Sequence, residues 1–283
     1  MREPESHFLP RSGKVLVVRL SALGDVIKTI PAMRALSEAR PDLHLEWLIE
    51  DQYASLVESL PFIKRTWVFP RKKWASPAGW LRMTRHLAGI AGGQWDAVLD
   101  FQVNPKSQFQ AAITRAPIRI TRKKDTERRS IIEQNADLIR GLGANIKMKK
   151  SWKWPLPNQC FQSADLKGNG YPVILHADTT IYGRDKAWPD SYWINLATEL
   201  KAKGVPVQFL RPPSNSRIAI LAAEAGCSLT PLAPNIPALA YLLDHCRGLV
   251  GTDSGPTHLA AYRTVPTVAL FGATDPAIHA PCG

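Results

Sequence analysis

No apolar run in this sequence approaches the roughly 18 residues that a membrane-spanning helix needs. The opening stretch, MREPESHFLPRSGK, also lacks the continuous apolar segment of a secretory leader, so a cytoplasmic protein is expected. Cysteine is scarce: Cys160, Cys227, Cys246 and Cys282 lie far apart, with no CxxC or Cys/His ligand spacing. That spacing indicates neither a zinc site nor a disulfide framework, and the thiols read as buried or incidental. Low-complexity tracts are missing, and with 45% apolar residues the chain reads as folded rather than disordered or fibrous. Acidic residues are in deficit, 24 against 36 Lys and Arg, which leaves a formal charge of +12. Such a surface attracts polyanions (nucleic acid, anionic lipid, phosphorylated substrates) or is simply basic; charge alone does not choose among these.

What is present suffices for two cores of ordinary size in 283 residues. Apolar runs at residues 15–20, 45–49, 66–69 and 97–101 alternate with helical apolar spacing at 26–38, 53–59, 80–91 and 107–114. Pro31 predicts a kink or a late start in the first of those helices. From about 147 to 170 the pattern fails in a Pro-, Gly- and polar-rich stretch, read as a linker at 151–170 between domains at 1–150 and 171–283. Beyond it, strands at 172–175, 206–210, 228–230, 248–250 and 267–271 alternate with helices at 191–203, 216–225, 236–243 and from about 256. Strand and helix in alternation mean an α/β fold with parallel sheets and crossover helices. Two doubly wound halves facing across a cleft would place ligands at the carboxyl ends of their strands.

The motifs lie at such ends. In GLVGTDSGPTHLAA, residues 248–261, Asp253 or Ser254 can cap a helix, Gly255 allows close backbone approach, and Pro256 suits the first helical position. Backbone N–H groups of Gly255, Thr257 and His258 would form an anion site with the helix dipole behind it. Capping alone explains the Asp, Ser and Pro but not the added Gly, Thr and His. In HADTTIYGRDKAWP, residues 176–189, Thr179 and Thr180 offer hydroxyl donors and Lys186 a mobile cation for a diphosphate, or a solvated loop lysine. FPRKKW brings Arg71, Lys72 and Lys73 to the end of the third strand as a solvated run or a pocket for an acidic acceptor. DFQVNPKS adds Gln102, Asn104 and Lys106 to the same rim, where Asn104 before Pro105 is also a good turn. In RLSALGDVIKTIPA, residues 19–32, Asp25 is either a first-turn carboxylate or a general base facing an acceptor hydroxyl.

Together these segments resemble the ADP-heptose:lipopolysaccharide heptosyltransferases of glycosyltransferase family 9 from Val15 to Pro276. The resemblance is carried by RLSALGDVIKTIPA, WDAVLDFQVNPKS, DKAWP, TDSGPTHLAA and LFGATDP, and PRKKW is most similar to the basic acceptor stretch of heptosyltransferase I. It implies a GT-B fold of two Rossmann-like domains, the N-terminal one taking the acceptor and the C-terminal one the nucleotide sugar. It further implies inverting transfer of L-glycero-D-manno-heptose from ADP-heptose to Kdo of a Kdo-lipid A acceptor, with no cofactor and no obligatory metal. Asp25 then matches the catalytic base, and Lys186 and the turn Asp253, Ser254, Gly255, Pro256, Thr257, His258 match the diphosphate site. Thr179 and Thr180 match its threonine contacts less closely, because IYG is inserted before the DK pair.

Arg19, Arg71, Lys72 and Lys73 would draw the acidic acceptor, and the positive charge would seat the enzyme peripherally on the anionic inner face of the inner membrane. Two departures stand out. RPPSNSR occupies a position where relatives carry an acidic ribose contact, with Asn215 as a substitute, and relatives continue past the equivalent of Gly283 toward a helix that packs back on the N-terminal domain. Another family 9 transferase is the competing enzyme reading. A nucleic-acid-binding module is disfavoured, since the cations are scattered and no helix-turn-helix, zinc or RNP pattern is present.

Overall fold

A computed structural model of the chain describes residues 9–69, 77–122, 128–140, 142, 148–149, 151–156, 171–179, 185–214 and 216–282. The chain forms two units, Met1–Lys149 and Lys150–Gly283. In the first, strands β1 (Lys14–Val18), β2 (His44–Glu50), β3 (Arg65–Phe69), β4 (Ala97–Asp100) and β5 (Ile118–Thr121) alternate with helices α1 (Leu23–Ala39), α2 (Ala54–Glu58), α3 (Pro77–Ala91) and α4 (Pro105–Ile113), followed by α5 (Ile131–Arg140). The strands pair in parallel in the order β3-β2-β1-β4-β5. Val15, Leu16, Val17 and Val18 of the central strand are fully buried, as both-face coverage of a parallel sheet requires.

Pro31 does not delay α1, which runs as one helix from Leu23 with the proline inside it. Burial of Val26, Ile27, Ile30, Met33 and Leu36 along its inner face, at about 1.5–3 kcal/mol per large apolar side chain, offsets the hydrogen bond that proline forgoes. The early start puts Gly24 and Asp25 inside the first turn. A capping box begins α4: Asn104 accepts from the Ser107 N–H at 2.9 Å, Ser107 Oγ accepts from the Asn104 N–H at 3.1 Å, and Pro105 holds the first position.

The second unit comprises β6 (Val173–His176), α6 (Asp190–Ala202), β7 (Val207–Phe209), α7 (Ser216–Glu224), β8 (Ser228–Leu229), α8 (Ile236–Asp244), β9 (Gly248–Thr252), α9 (Gly255–Tyr262), β10 (Thr267–Leu270) and α10 (Pro276–His279). Its parallel order, β10-β9-β6-β7-β8, repeats that of the first unit. In each sheet the first strand of the unit lies between the second and the fourth, so the direction of winding reverses between β1 and β4 and again between β6 and β9. Open parallel sheets bind ligands at the carboxyl ends beside that reversal.

Residues 151–156, the start of the stretch read as a linker, pack within the second unit. Trp152 donates its N–H to the Tyr262 carbonyl at 2.8 Å, and Trp154 is buried under the Arg263 guanidinium, 4.4 Å from its ring centroid. Residues 157–170, and Cys160 with them, lie outside the described residues. Cys227, Cys246 and Cys282 are free thiols, and burial pushes Cys246 up to about 11.

Candidate functional site

In the first unit the backbone leaves β1 and enters α1 within five residues, and Arg19 and Asp25 flank that turn. Arg19 is buried, donates Nη1 to the Phe101 carbonyl at 2.6 Å and pairs through Nη2 with Asp25 Oδ2. Burial pulls the Arg19 pKa down, Asp25 pulls it back up, Arg122 lowers it further and Asp100 raises it. Asp25, by contrast, has a side chain 38% exposed. The result is a carboxylate oriented by a buried cation and open to an incoming group, as a general base requires.

The loop between them is held from β4. Gln102 Oε1 accepts from the N–H groups of Leu20 at 2.9 Å and Ser21 at 3.1 Å, and Asp100 accepts from Gln102 N, Val103 N and Ser107 Oγ at 2.9, 3.2 and 2.9 Å. Arg19 and Gln102, expected to contact an acceptor, both bond into this turn. Arg19 directs Asp25 and Gln102 directs the backbone before it, because buried polar groups take the hydrogen bonds that the fold supplies. Lys106 is exposed on the first turn of α4. Arg71, Lys72 and Lys73 lie outside the described residues.

In the second unit Asp253 is the hub. Its Oδ2 accepts from Lys186 Nζ at 2.7 Å and Thr274 Oγ1 at 2.8 Å, while Oδ1 meets His258 Nε2 at 2.9 Å. A carboxylate can only accept there, which assigns the proton on that ring to Nε2. Burial alone would raise the Asp253 pKa; the bonds from His258, Lys186 and Thr274 outweigh it and hold the carboxyl well below the usual range. Lys186 keeps a side chain 29% exposed, so the cation is aimed yet reachable.

The helix start beside this hub differs from the sequence expectation in two ways. Asp253 does not cap α9. Ser254 occupies that position without a side-chain cap bond, its Oγ lying 3.2 Å from Thr257 Oγ1. The His258 N–H is taken by the Ser254 carbonyl at 3.1 Å, leaving Gly255 and Thr257 as the first-turn N–H groups that α-helical bonding does not use. Thr257 Oγ1 donates to the Thr252 carbonyl at 2.7 Å and lies 2.5 Å from where a Cβ on residue 251 would stand, which explains Gly251. Thr179 follows β6 with its N–H on Asp178 Oδ1 at 3.0 Å; Thr180 and Asn215 lie outside the described residues.

Sequence reasoning missed Thr274 and Gly272. Both belong to LFGATDP, and a Cβ on Gly272 would stand 2.6 Å from the Asp185 carbonyl oxygen, so only glycine lets that strand end lie against the Asp185–Lys186 backbone. Among the described residues no cluster of three or more His, Cys, Asp or Glu side chains is arranged to hold a metal ion, and no helix is long and apolar enough to cross a membrane.

The family model for glycosyltransferase family 9 (heptosyltransferase) matches residues 83–283. The chain belongs to glycosyltransferase family 9. This family 9 glycosyltransferase is 27% identical to lipopolysaccharide heptosyltransferase 1 of Pseudomonas aeruginosa over 93% of the chain and 79% of that protein. Its fold is that of the Escherichia coli heptosyltransferase WaaC solved with ADP (TM-score 0.79, 21% identity, 95% of this chain and 91% of that one). E. coli ADP-heptose heptosyltransferase II is also similar, with a TM-score of 0.70 and 18% identity over 95% of this chain and 87% of that one. The two Rossmann-like units are thus those of a GT-B glycosyltransferase.

Proposed function

We propose that this glycosyltransferase moves L-glycero-D-manno-heptose from ADP-heptose to Kdo of the lipopolysaccharide inner core, with inversion, as a heptosyltransferase I. The observation that carries the reading is the pairing of chemistry with topology. An oriented, exposed carboxylate follows β1 in one unit, and an oriented, reachable cation stands beside a helix N-terminus at the β6/β9 reversal in the other. The likeness to heptosyltransferase 1 sequences over most of the chain supports this acceptor.

In the displacement, Asp25 takes the proton of the acceptor hydroxyl while that oxygen forms its bond to the anomeric carbon. The bond from that carbon to the β-phosphate oxygen breaks, and ADP departs with the electron pair. Lys186, the Gly255 and Thr257 N–H groups and the α9 dipole meet the growing charge, with Thr179 and Thr180 as further donors. Asp253 and His258 orient this machinery, and Ser254 and Pro256 set the turn that starts the helix. Arg71, Lys72, Lys73 and Lys106 draw the acidic acceptor, and the basic surface seats the protein on the inner face of the inner membrane.

A donor panel tests the reading: ADP release or sugar consumption is measured with ADP-heptose, ADP-glucose and UDP-sugars, each with Kdo-lipid A. Turnover of ADP-heptose is expected. Turnover of a UDP-sugar without ADP-heptose would overturn it.

A further inference from the structure

The helices on one side of the first sheet carry an unusual outer surface. The chain winds from β1 through β2 to β3, then returns past β1 to β4 and β5, so right-handed crossovers place α1 and α2 on one face and α3 and α4 on the other. The inner sides of α3 and α4 bury Met83, Ile90 and Ala111 against Leu16, Val18, Leu48 and Val98. His86 Nε2 lies 3.2 Å from Gln110 Oε1 and ties the two helices side by side.

Their outer sides expose Trp80 by 71%, Leu81 by 50% and Phe109 by 53%. Arg82 and Arg85 are exposed on α3 beside them. Neither helix contains a single Asp or Glu, whereas α1 and α5 on the other elements of this unit carry Asp25, Glu38, Glu133 and Asp137. A surface helix that faces only water ordinarily mixes charges of both signs and hides its large aromatics. Large apolar and aromatic groups interleaved with cations alone are instead the chemistry of an interfacial seat: rings enter the headgroup boundary and guanidinium groups meet lipid phosphates.

We infer that the α3/α4 face, with Trp80, Leu81 and Phe109 as wedges and Arg82 and Arg85 as phosphate contacts, docks on an anionic lipid bilayer. The inference rests on the proposed peripheral membrane location and names the surface responsible. Charge complementarity selects the occupant, because anionic lipid satisfies the arginines that a neutral apolar partner would leave unpaired.

The test is co-sedimentation of the full chain with phosphatidylethanolamine–phosphatidylglycerol vesicles and with phosphatidylcholine vesicles. It compares the wild type with Arg82→Glu/Arg85→Glu and with Trp80→Ser/Phe109→Ser, all exposed positions. Each basic residue near an anionic surface contributes roughly fivefold in affinity, so the charge reversal is expected to weaken binding to the anionic vesicles at least tenfold. The serine pair is expected to weaken it as well, and the wild type to ignore the neutral vesicles. Turnover of ADP-heptose with a water-soluble Kdo acceptor should be the same in all three proteins, so a failed membrane seat is told apart from a failed transferase reading. Equal binding of all three to anionic vesicles would overturn the inference. So would a wild-type dimer that Trp80→Ser/Phe109→Ser dissociates, since the face would then be covered by a second copy.

Discussion

Lys186 and Asp253 stand 67 residues apart in sequence and meet as an ion pair, Nζ to Oδ2, at 2.7 Å. The pair lies beside the first turn of α9, and its carboxylate is further bonded by His258 and Thr274. Asp253→Asn removes the charge that directs the lysine and weakens two more hydrogen bonds. A loss of about 1–3 kcal/mol in stability is expected from urea denaturation, with a raised Kd for ADP by calorimetry. Lys186→Ala should weaken ADP binding with a smaller effect on stability, since Lys186 is the more exposed partner. The pH dependence has a definite sign. A carboxyl held below its ordinary range stabilises the fold fully above about pH 4, and that stability is lost as pH falls through the depressed folded value. The stability gap between wild type and Asp253→Asn should therefore be flat from neutral pH down to about 4 and narrow only below it.

Asp25 makes a separable prediction. Asp25→Asn keeps a hydrogen-bonding partner for buried Arg19 but cannot take a proton, so turnover should fall at least about 100-fold while the Kd for ADP stays within about twofold. Arg19→Met should lower kcat without changing the KM for ADP-heptose, and Arg19→Lys should restore part of it. An Arg19 variant that changed only the donor KM would contradict its role in orienting Asp25.

His176 ends β6 buried, and that burial lowers its pKa to about 4 against the opposing charge of Asp178. The unfolded chain accepts a proton near pH 6.5, well before the folded chain does. Stability contributed by this group is therefore intact above about pH 6.5 and lost as pH falls toward 4, by up to about 3 kcal/mol. Denaturation curves at three pH values across that window should show a shallower acid slope for His176→Leu.

Gly272 allows LFGATDP to lie against the backbone that carries Lys186. Gly272→Ala would place a Cβ 2.6 Å from the Asp185 carbonyl oxygen and 3.2 Å from Lys186 Cα. A shift of that segment is expected to weaken ADP binding several-fold and cost about 1–3 kcal/mol. Gly251→Ala, which meets Thr257 Oγ1 at 2.5 Å in a buried position, should cost stability by the same mechanism.

Much of the fold was legible because both sheets are buried on both faces and their strands read as apolar runs, as at Val15–Val18. The strand β5 escaped: Ile118–Thr121 alternates half-buried and exposed residues on a sheet edge, where an arginine sits as easily as an isoleucine. Helix α5 escaped with it, although it buries Ala136, Leu138 and Ile139 and is tied to α1 by the Asn135 bond to the Lys28 carbonyl at 3.0 Å. At the site, sequence placed Asp25 and Lys186 at strand ends in the roles proposed above, but the hydrogen-bonding hub at Asp253 was not legible in it. Capping by Asp253 or Ser254 is a local reading, whereas two of the three partners of Asp253 come from 67 residues before and 21 residues after it. The bonding of Arg19 and Gln102 into the turn after β1 is likewise tertiary, joining β1 to β4 across more than 80 residues.

The most direct measurement is mass spectrometry of Kdo-lipid A after incubation with ADP-heptose and the purified chain. Addition of a single heptosyl group to Kdo, abolished by Asp25→Asn, is expected. No addition to Kdo-lipid A, with extension of an acceptor that already carries heptose, would contradict it.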